Sequence, residues 1–148
     1  MATLREEAKA TYFKLRTPLL KEGQSETDLA ITSMMKVQIK CYAQGGENAL
    51  HAHPHEDHIF VVLQGQARFF DKDENSRVIG RNECVLLPRG AFYYFQSCGD
   101  EPLVLLRVGA FCEIPEFTRI DVHGNPIRGD SRENKHVPPV AIDGAFYE

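Results

Sequence analysis

Between Met34 and Ala43 the run MMKVQIKCYA alternates in character. Met35, Val37, Ile39 and Cys41 fall on one side, and Lys36, Gln38, Lys40 and Tyr42 on the other. Period two is the signature of a half-buried strand, and Gly45-Gly46 ends it. Residues 58–70, HIFVVLQGQARFF, are rich in β-branched and aromatic types and predict strand, with Gly65 as a bend or bulge. The polar run DKDENS, residues 71–76, predicts a turn. VIGRNECVLLPRG predicts a pair of short strands closed by the turn signal Pro88-Arg89-Gly90, and AFYYFQS and PLVLLRVGAF add two more. Short strands with turns at roughly 8–12 residue spacing predict an antiparallel sandwich or barrel.

The pattern fades at both ends. The first ten residues predict a helical turn or a frayed N-terminal extension. After Phe111 the chain is polar until VPPVAIDGAFY and holds four of the eight prolines. This predicts an extended C-terminal arm over 112–148. Either it is ordered by packing on the barrel mouth or on a partner subunit, or it is disordered over 124–136.

With 148 residues and no repeat or linker, the chain reads as a single domain with a barrel core at about 34–111. The net charge is -4 and the basic residues are scattered, which argues against nucleic acid as a partner. No apolar stretch is long enough to span a bilayer, so no membrane role is expected. The N-terminus has no apolar signal core, which predicts a cytoplasmic protein. Cys41, Cys84, Cys98 and Cys112 lie far apart and mostly in apolar surroundings, as reduced, buried thiols do.

Chemistry concentrates in HAHPHEDH, residues 51–58, which holds four of the six histidines. In a strand His51 and His53 point the same way, with Ala52 opposite. A turn at Pro54-His55-Glu56 returns the chain, and His58 starts the next strand. If the two strands are antiparallel neighbours, His51, His53 and His58 converge on one point. Three imidazoles so placed suit a divalent transition metal such as Fe, Zn, Ni, Cu or Mn. The alternative is a surface cluster with no native metal. Arg107 interrupts an apolar strand and needs a partner, either a substrate carboxylate or a nearby Glu or Asp. Gln38 is either an inward polar group or solvated. Tyr93 and Phe95 share one face of FYYF, and Phe92 and Tyr94 the other. His123 and His136 lie in the arm, away from the predicted chemistry.

These motifs resemble those of the cupins, small barrels of the double-stranded β-helix type. The first cupin motif, G-x5-H-x-H-x3/4-E-x6-G, is matched by Gly45, His51, His53, position 58 and Gly65. The second, G-x5-P-x-G-x2-H-x3-N, is matched at Pro88 and Gly90. The resemblance covers about 34–111 and implies an all-β fold, a jelly-roll barrel. Four positions depart from it: His58 replaces the usual Glu, Tyr93 the usual His, Asn82 the opening Gly and Ser97 the closing Asn. Under the shorter spacing Asp57 would be the ligand instead. The longer spacing keeps Gly65 in place and puts His58, Phe60 and Val62 on one face, which a slip of one residue would reverse. His55 falls in the turn.

The resemblance implies a metal held by His51, His53 and His58, with Tyr93 turned inward, near or on the fourth position. Three neutral ligands leave a divalent ion its full charge, which favours an anionic oxygen chelate. Three-His cupins include dioxygenases that cleave carbon–carbon bonds. The leading expectation is therefore an Fe(II) dioxygenase acting on a small diketone, hydroxyketone or hydroxyaromatic metabolite. In it Tyr93 is catalytic, while Gln38, Phe60, Val62, Phe95 and Arg107 are available to the substrate. The alternatives are a non-redox isomerase, lyase or cyclase, and a binding module without catalysis. Cupins commonly pair, so a homodimer is expected, with the arm able to lay a strand on a partner's sheet.

Overall fold

The computed structural model describes residues 8–43, 48–111 and 119–148. Gly45, Gly46 and Cys112, singled out above, lie outside them. All regular structure among the described residues is strand, in ten segments. These are β1 (Thr17–Glu22), β2 (Gln24–Ile31), β3 (Met35–Tyr42), β4 (Glu56–Gln64), β5 (Gln66–Phe70), β6 (Ser76–Gly80), β7 (Cys84–Leu87), β8 (Tyr94–Cys98), β9 (Leu103–Phe111) and β10 (Val140–Tyr147). No helix among the described residues is long and apolar enough to cross a membrane. Residues 8–16 have no regular structure, so the helical turn expected near the N-terminus is absent from 8–10.

Three antiparallel sheets are formed, in the orders β2-β3-β9-β4-β7, β6-β5-β8 and β1-β10. The first two enclose the main core, built on Phe60, Val62, Phe69, Phe95, Leu103 and Leu105. Gly65, at φ +79°, makes the bend that carries the chain from β4 in one sheet to β5 in the other.

The alternation in β3 has an unexpected meaning. Its apolar side, Ile39 and Cys41, packs with Leu20 of β1 and Val104 of β9 in a second core beneath the β1–β10 sheet. Its polar side, Lys40 and Tyr42, turns into the barrel. Both sides are buried, so the strand is not half-solvated as the alternation predicts. The covering sheet comes from the two ends of the chain. β10 of the arm pairs with β1 of the same chain, Thr17 opposite Tyr147.

On β9, Leu103, Leu105, Arg107 and Gly109 share the inward face. On β4, so do Glu56, His58, Phe60 and Val62. Register sets His58 opposite Gly109 and Phe60 opposite Arg107. Of the thiols, Cys41 is buried and Cys98 half-buried, but Cys84 is exposed on the edge strand β7. An edge position leaves one flank of a strand uncovered, which the apolar context of ECVLL does not reveal.

Candidate active site in the barrel mouth

His51 and His53 belong to no extended strand. His51 forms an isolated bridge with Tyr93, N to O at 3.0 Å and O to N at 2.9 Å. His53 O accepts a hydrogen bond from Gly90 N at 3.0 Å. The turn after His53 then leads into β4 and His58. The imidazoles therefore meet from two walls: His51 and His53 beside the segment leading into β8, and His58 on β4. They are not carried by two neighbouring strands of one sheet, the arrangement expected from the sequence.

The convergence itself is present. The His51 and His53 ring centroids are 5.1 Å apart, and those of His53 and His58 are 4.8 Å apart. Tyr93 reaches into the group, its hydroxyl 3.0 Å from His58 Nε2 and 3.3 Å from His53 Nε2. All four side chains are buried. The structure turns His58 inward and Asp57 outward, where Asp57 Oδ1 accepts from Arg89 N at 2.8 Å.

Burial governs the electrostatics. It lowers the His51 pKa from 6.5 to about 3, aided by the Arg119 charge. It lowers that of His58 to about 2, aided by Arg107, and puts His53 well below the ordinary value. All three rings are neutral at pH 7. Burial raises the Tyr93 phenol above its ordinary value, so it stays protonated and able to donate.

These rings fit a metal in chemistry, though not as a finished cage. Among the described residues no three His, Cys, Asp or Glu side chains are already grouped to hold an ion. Yet His51 Nδ1 donates to Ala49 O at 2.6 Å, which leaves the lone pair on Nε2, and that buried atom has no partner. His53 Nε2 and His58 Nε2 share one phenol proton, while Nδ1 of each ring is buried without a hydrogen bond. One hydroxyl cannot satisfy that many imidazole nitrogens, and the lone pairs left over are of the kind a divalent ion would accept.

His51, His53 and Tyr93 line one wall of a cavity of about 420 Å³, while His58 is buried outside its lining. Phe60 and Phe95 line it. Val62 is fully buried in the core behind it. Gln38 is also not part of the lining; its Nε2 donates to Asp28 Oδ1 at 2.8 Å. Arg107 does line the cavity, but its guanidinium is committed to Glu56 at 2.6 and 2.9 Å. Gly109 makes room for that pair, since a Cβ there would collide with the Glu56 carboxylate. Glu56 Oε1 is also 3.7 Å from His53 Nδ1, outside hydrogen-bond reach.

Several lining residues were not anticipated. Lys40 is buried beside Glu26 at 3.2 Å, and burial pulls its pKa from 10.5 to about 8 against the attraction of Glu26. Its signal was available, since it is a charge in an apolar strand just as Arg107 is. From the arm come Arg119, Gly129, Asp130, Asn134 and His136. The arm thus roofs its own barrel mouth, latched where Gln24 Nε2 meets His136 Nδ1 at 2.9 Å and Gln24 N donates to Val137 O at 3.2 Å. His136 therefore borders the cavity. His123, by contrast, is exposed and its backbone N bonds Asp121.

A sequence model of the cupin domain matches residues 38–109. The curated protein YdbB of Bacillus subtilis (strain 168) is 35% identical over 52 residues, 35% of this chain and 46% of that protein. The matched stretch is thus under half of the curated relative's length. Among solved structures, the DMSP lyase DddQ from Ruegeria pomeroyi DSS-3 matches with a TM-score of 0.56 at 19% identity, over 69% of this chain and 53% of that one. Recombinant oxalate oxidase in complex with glycolate matches with a TM-score of 0.53 at 21% identity, over 61% and 52%. At these identities the likeness is one of fold.

Proposed function

This chain is a member of the cupin superfamily, and from that premise we propose that it is a metal-dependent enzyme, most concretely an iron(II) dioxygenase, acting on a small oxygenated anion. One observation carries the reading: three neutral, buried imidazoles with unsatisfied nitrogens surround a phenol, and two of them, His51 and His53, line a ligand-sized cavity together with that phenol. His51, His53 and His58 would hold the ion. A divalent ion supplies Lewis acidity towards substrate oxygens, and iron(II) adds redox chemistry with dioxygen.

The protein's own groups do the rest. Tyr93, kept protonated by burial, donates a hydrogen bond to oxygen where negative charge develops. Phe60 and Phe95 exclude water from the reacting end. Arg107 is a fixed polar wall, its guanidinium held and its charge neutralised by Glu56. Lys40, paired with Glu26, and Arg119 face the same space, and the Arg119 charge favours diketonates, hydroxyketones, hydroxyaromatics and related anions.

A second reading, a metal-dependent lyase or isomerase, draws support from Lys40. An amine with a pKa of about 8, lying 3.5 Å from the Tyr42 hydroxyl, can carry a proton without any oxidant. Elemental analysis of untagged protein, paired with an oxygen electrode and a panel of diketones and hydroxyaryl ketones, separates the readings. Stoichiometric iron with oxygen uptake is the expected result. Turnover on zinc or nickel without oxygen uptake selects the second reading, and absence of any bound metal overturns both.

A further inference from the structure

At the arm end of the cavity two buried polar atoms have no hydrogen-bond partner among the described residues, Arg119 Nε and Asn134 Oδ1. Asn134 is 2% exposed, and its Nδ2 donates to Gly129 O at 2.9 Å. That bond fixes the amide orientation and leaves Oδ1 as an unmet acceptor. The Arg119 guanidinium lies against the same glycine; a Cβ at position 129 would stand 3.1 Å from one of its terminal nitrogens. An unmet donor and an unmet acceptor thus flank Gly129, and all three residues line the cavity shared with His51, His53 and Tyr93.

The charges there do not cancel. Arg107 is neutralised by Glu56, and Lys40 faces Glu26. Asp130, the remaining lining carboxylate, is gripped by both arms of the Arg128 fork at 3.1 Å. Arg119 forms no salt bridge with another described residue, so among the described residues its guanidinium is the cavity cation without a paired carboxylate. Buried polar groups in folded proteins are nearly always satisfied, by protein, water, ion or ligand, so each exception calls for an occupant or a strain.

We propose that the Arg119–Asn134 end of the cavity recognises a hydroxylated carboxylate, with a carboxylate oxygen accepting from Arg119 Nε and a ligand hydroxyl donating to Asn134 Oδ1. This rests on the reading above, in which the histidine end is where reaction occurs; it names the substrate class as a hydroxy acid anchored beneath the arm. A plain carboxylate leaves Asn134 Oδ1 without a donor. A neutral polyol leaves the Arg119 charge without a counter-ion. A cavity of about 420 Å³ admits a small metabolite.

The test uses the full chain stripped of metal and reads binding by calorimetry, with D-gluconate, hexanoate and sorbitol as probes. Gluconate is expected to bind at least about tenfold more tightly than either of the others, the worth of one added charge-assisted hydrogen bond. Arg119→Gln and Asn134→Asp are each expected to weaken gluconate binding about tenfold, the first by removing the cation and the second by repelling the carboxylate. If one variant fails to fold, the other decides. Gluconate binding no tighter than sorbitol or hexanoate, or left unchanged in the folded variants, overturns the proposal. Because the assay needs no metal and no turnover, loss of the metal-enzyme reading leaves its outcome intact.

Discussion

His51 and Tyr93 are bonded backbone to backbone in both directions, and their rings lie 4.5 Å apart. Their positions are therefore locked together, and the Tyr93 hydroxyl is delivered to His53 and His58 by the same bridge that holds His51. Tyr93→Phe should keep this bridge and the ring packing while removing the only hydroxyl shared by the two Nε2 atoms. The expected cost in stability is about 1 kcal/mol, with turnover falling about 10²–10⁴-fold if the phenol assists proton movement. A thermal melt beside a rate measurement separates the two effects. An unchanged rate would remove Tyr93 from the chemistry.

His58 and Asp57 are adjacent in sequence but face opposite ways. His58→Ala should strip the protein of bound metal. Asp57→Ala, which loses only exposed contacts to Arg89, should retain it and stay within about 0.5 kcal/mol of the wild type. Metal content by elemental analysis is the readout. The reverse pattern would transfer the ligand role to Asp57.

The Glu56–Arg107 pair is buried on both sides, so removing one member strands the other. Glu56→Ala should destabilise the fold by about 3–5 kcal/mol. The double replacement Glu56→Leu with Arg107→Met should recover most of that loss, because no buried charge is then left unpaired. Denaturant midpoints of the wild type, both single variants and the double variant give the coupling directly. Additive losses would show that the two residues do not act as a pair.

Acid should weaken the fold through the three buried imidazoles. The folded-state pKa of His51 is about 3 and that of His58 about 2, both below the unfolded value of 6.5. The unfolded chain therefore takes up protons first as pH falls. Stability from this source is complete above about pH 6.5 and is lost progressively below it. Each ring contributes about 1.4 kcal/mol per pH unit, so going from pH 6.5 to 5 should remove about 2 kcal/mol per histidine. Urea midpoints at pH 7, 6 and 5 test this on metal-free protein, and a flat profile would contradict it. Protons compete with a bound ion for the same lone pairs, so metal release should follow the same direction.

The strands from β3 to β9 could be read from the chain because their apolar periodicity and turn residues are local signals. The convergence of His51, His53 and His58 could also be read, since eight residues with one turn leave few ways to arrange them. What stayed hidden depends on partners distant in sequence. Alternation in β3 marks two faces, but not that the polar one lines a cavity and the apolar one is roofed by strands from the chain ends. A cross-strand arrangement on β4 and β9 chose Glu56 as the partner of Arg107, across 51 positions of sequence. β1 and β2 carry little periodicity of their own; the burial pattern of β2 shows no fully buried position. Arg119 and Asn134 sit in a polar tract whose composition looks like loop, and only its docking on the barrel gives them a role.

The roof of the cavity and its histidine wall come from separate stretches, 119–136 and 51–58. The two stretches are stitched together, because Ala52, between His51 and His53, exchanges backbone hydrogen bonds with Ile120 at 3.0 and 2.9 Å. A change in the tail that shifts Ile120 is therefore felt at the imidazoles as well as at the entrance, so neither end of the cavity can drift alone.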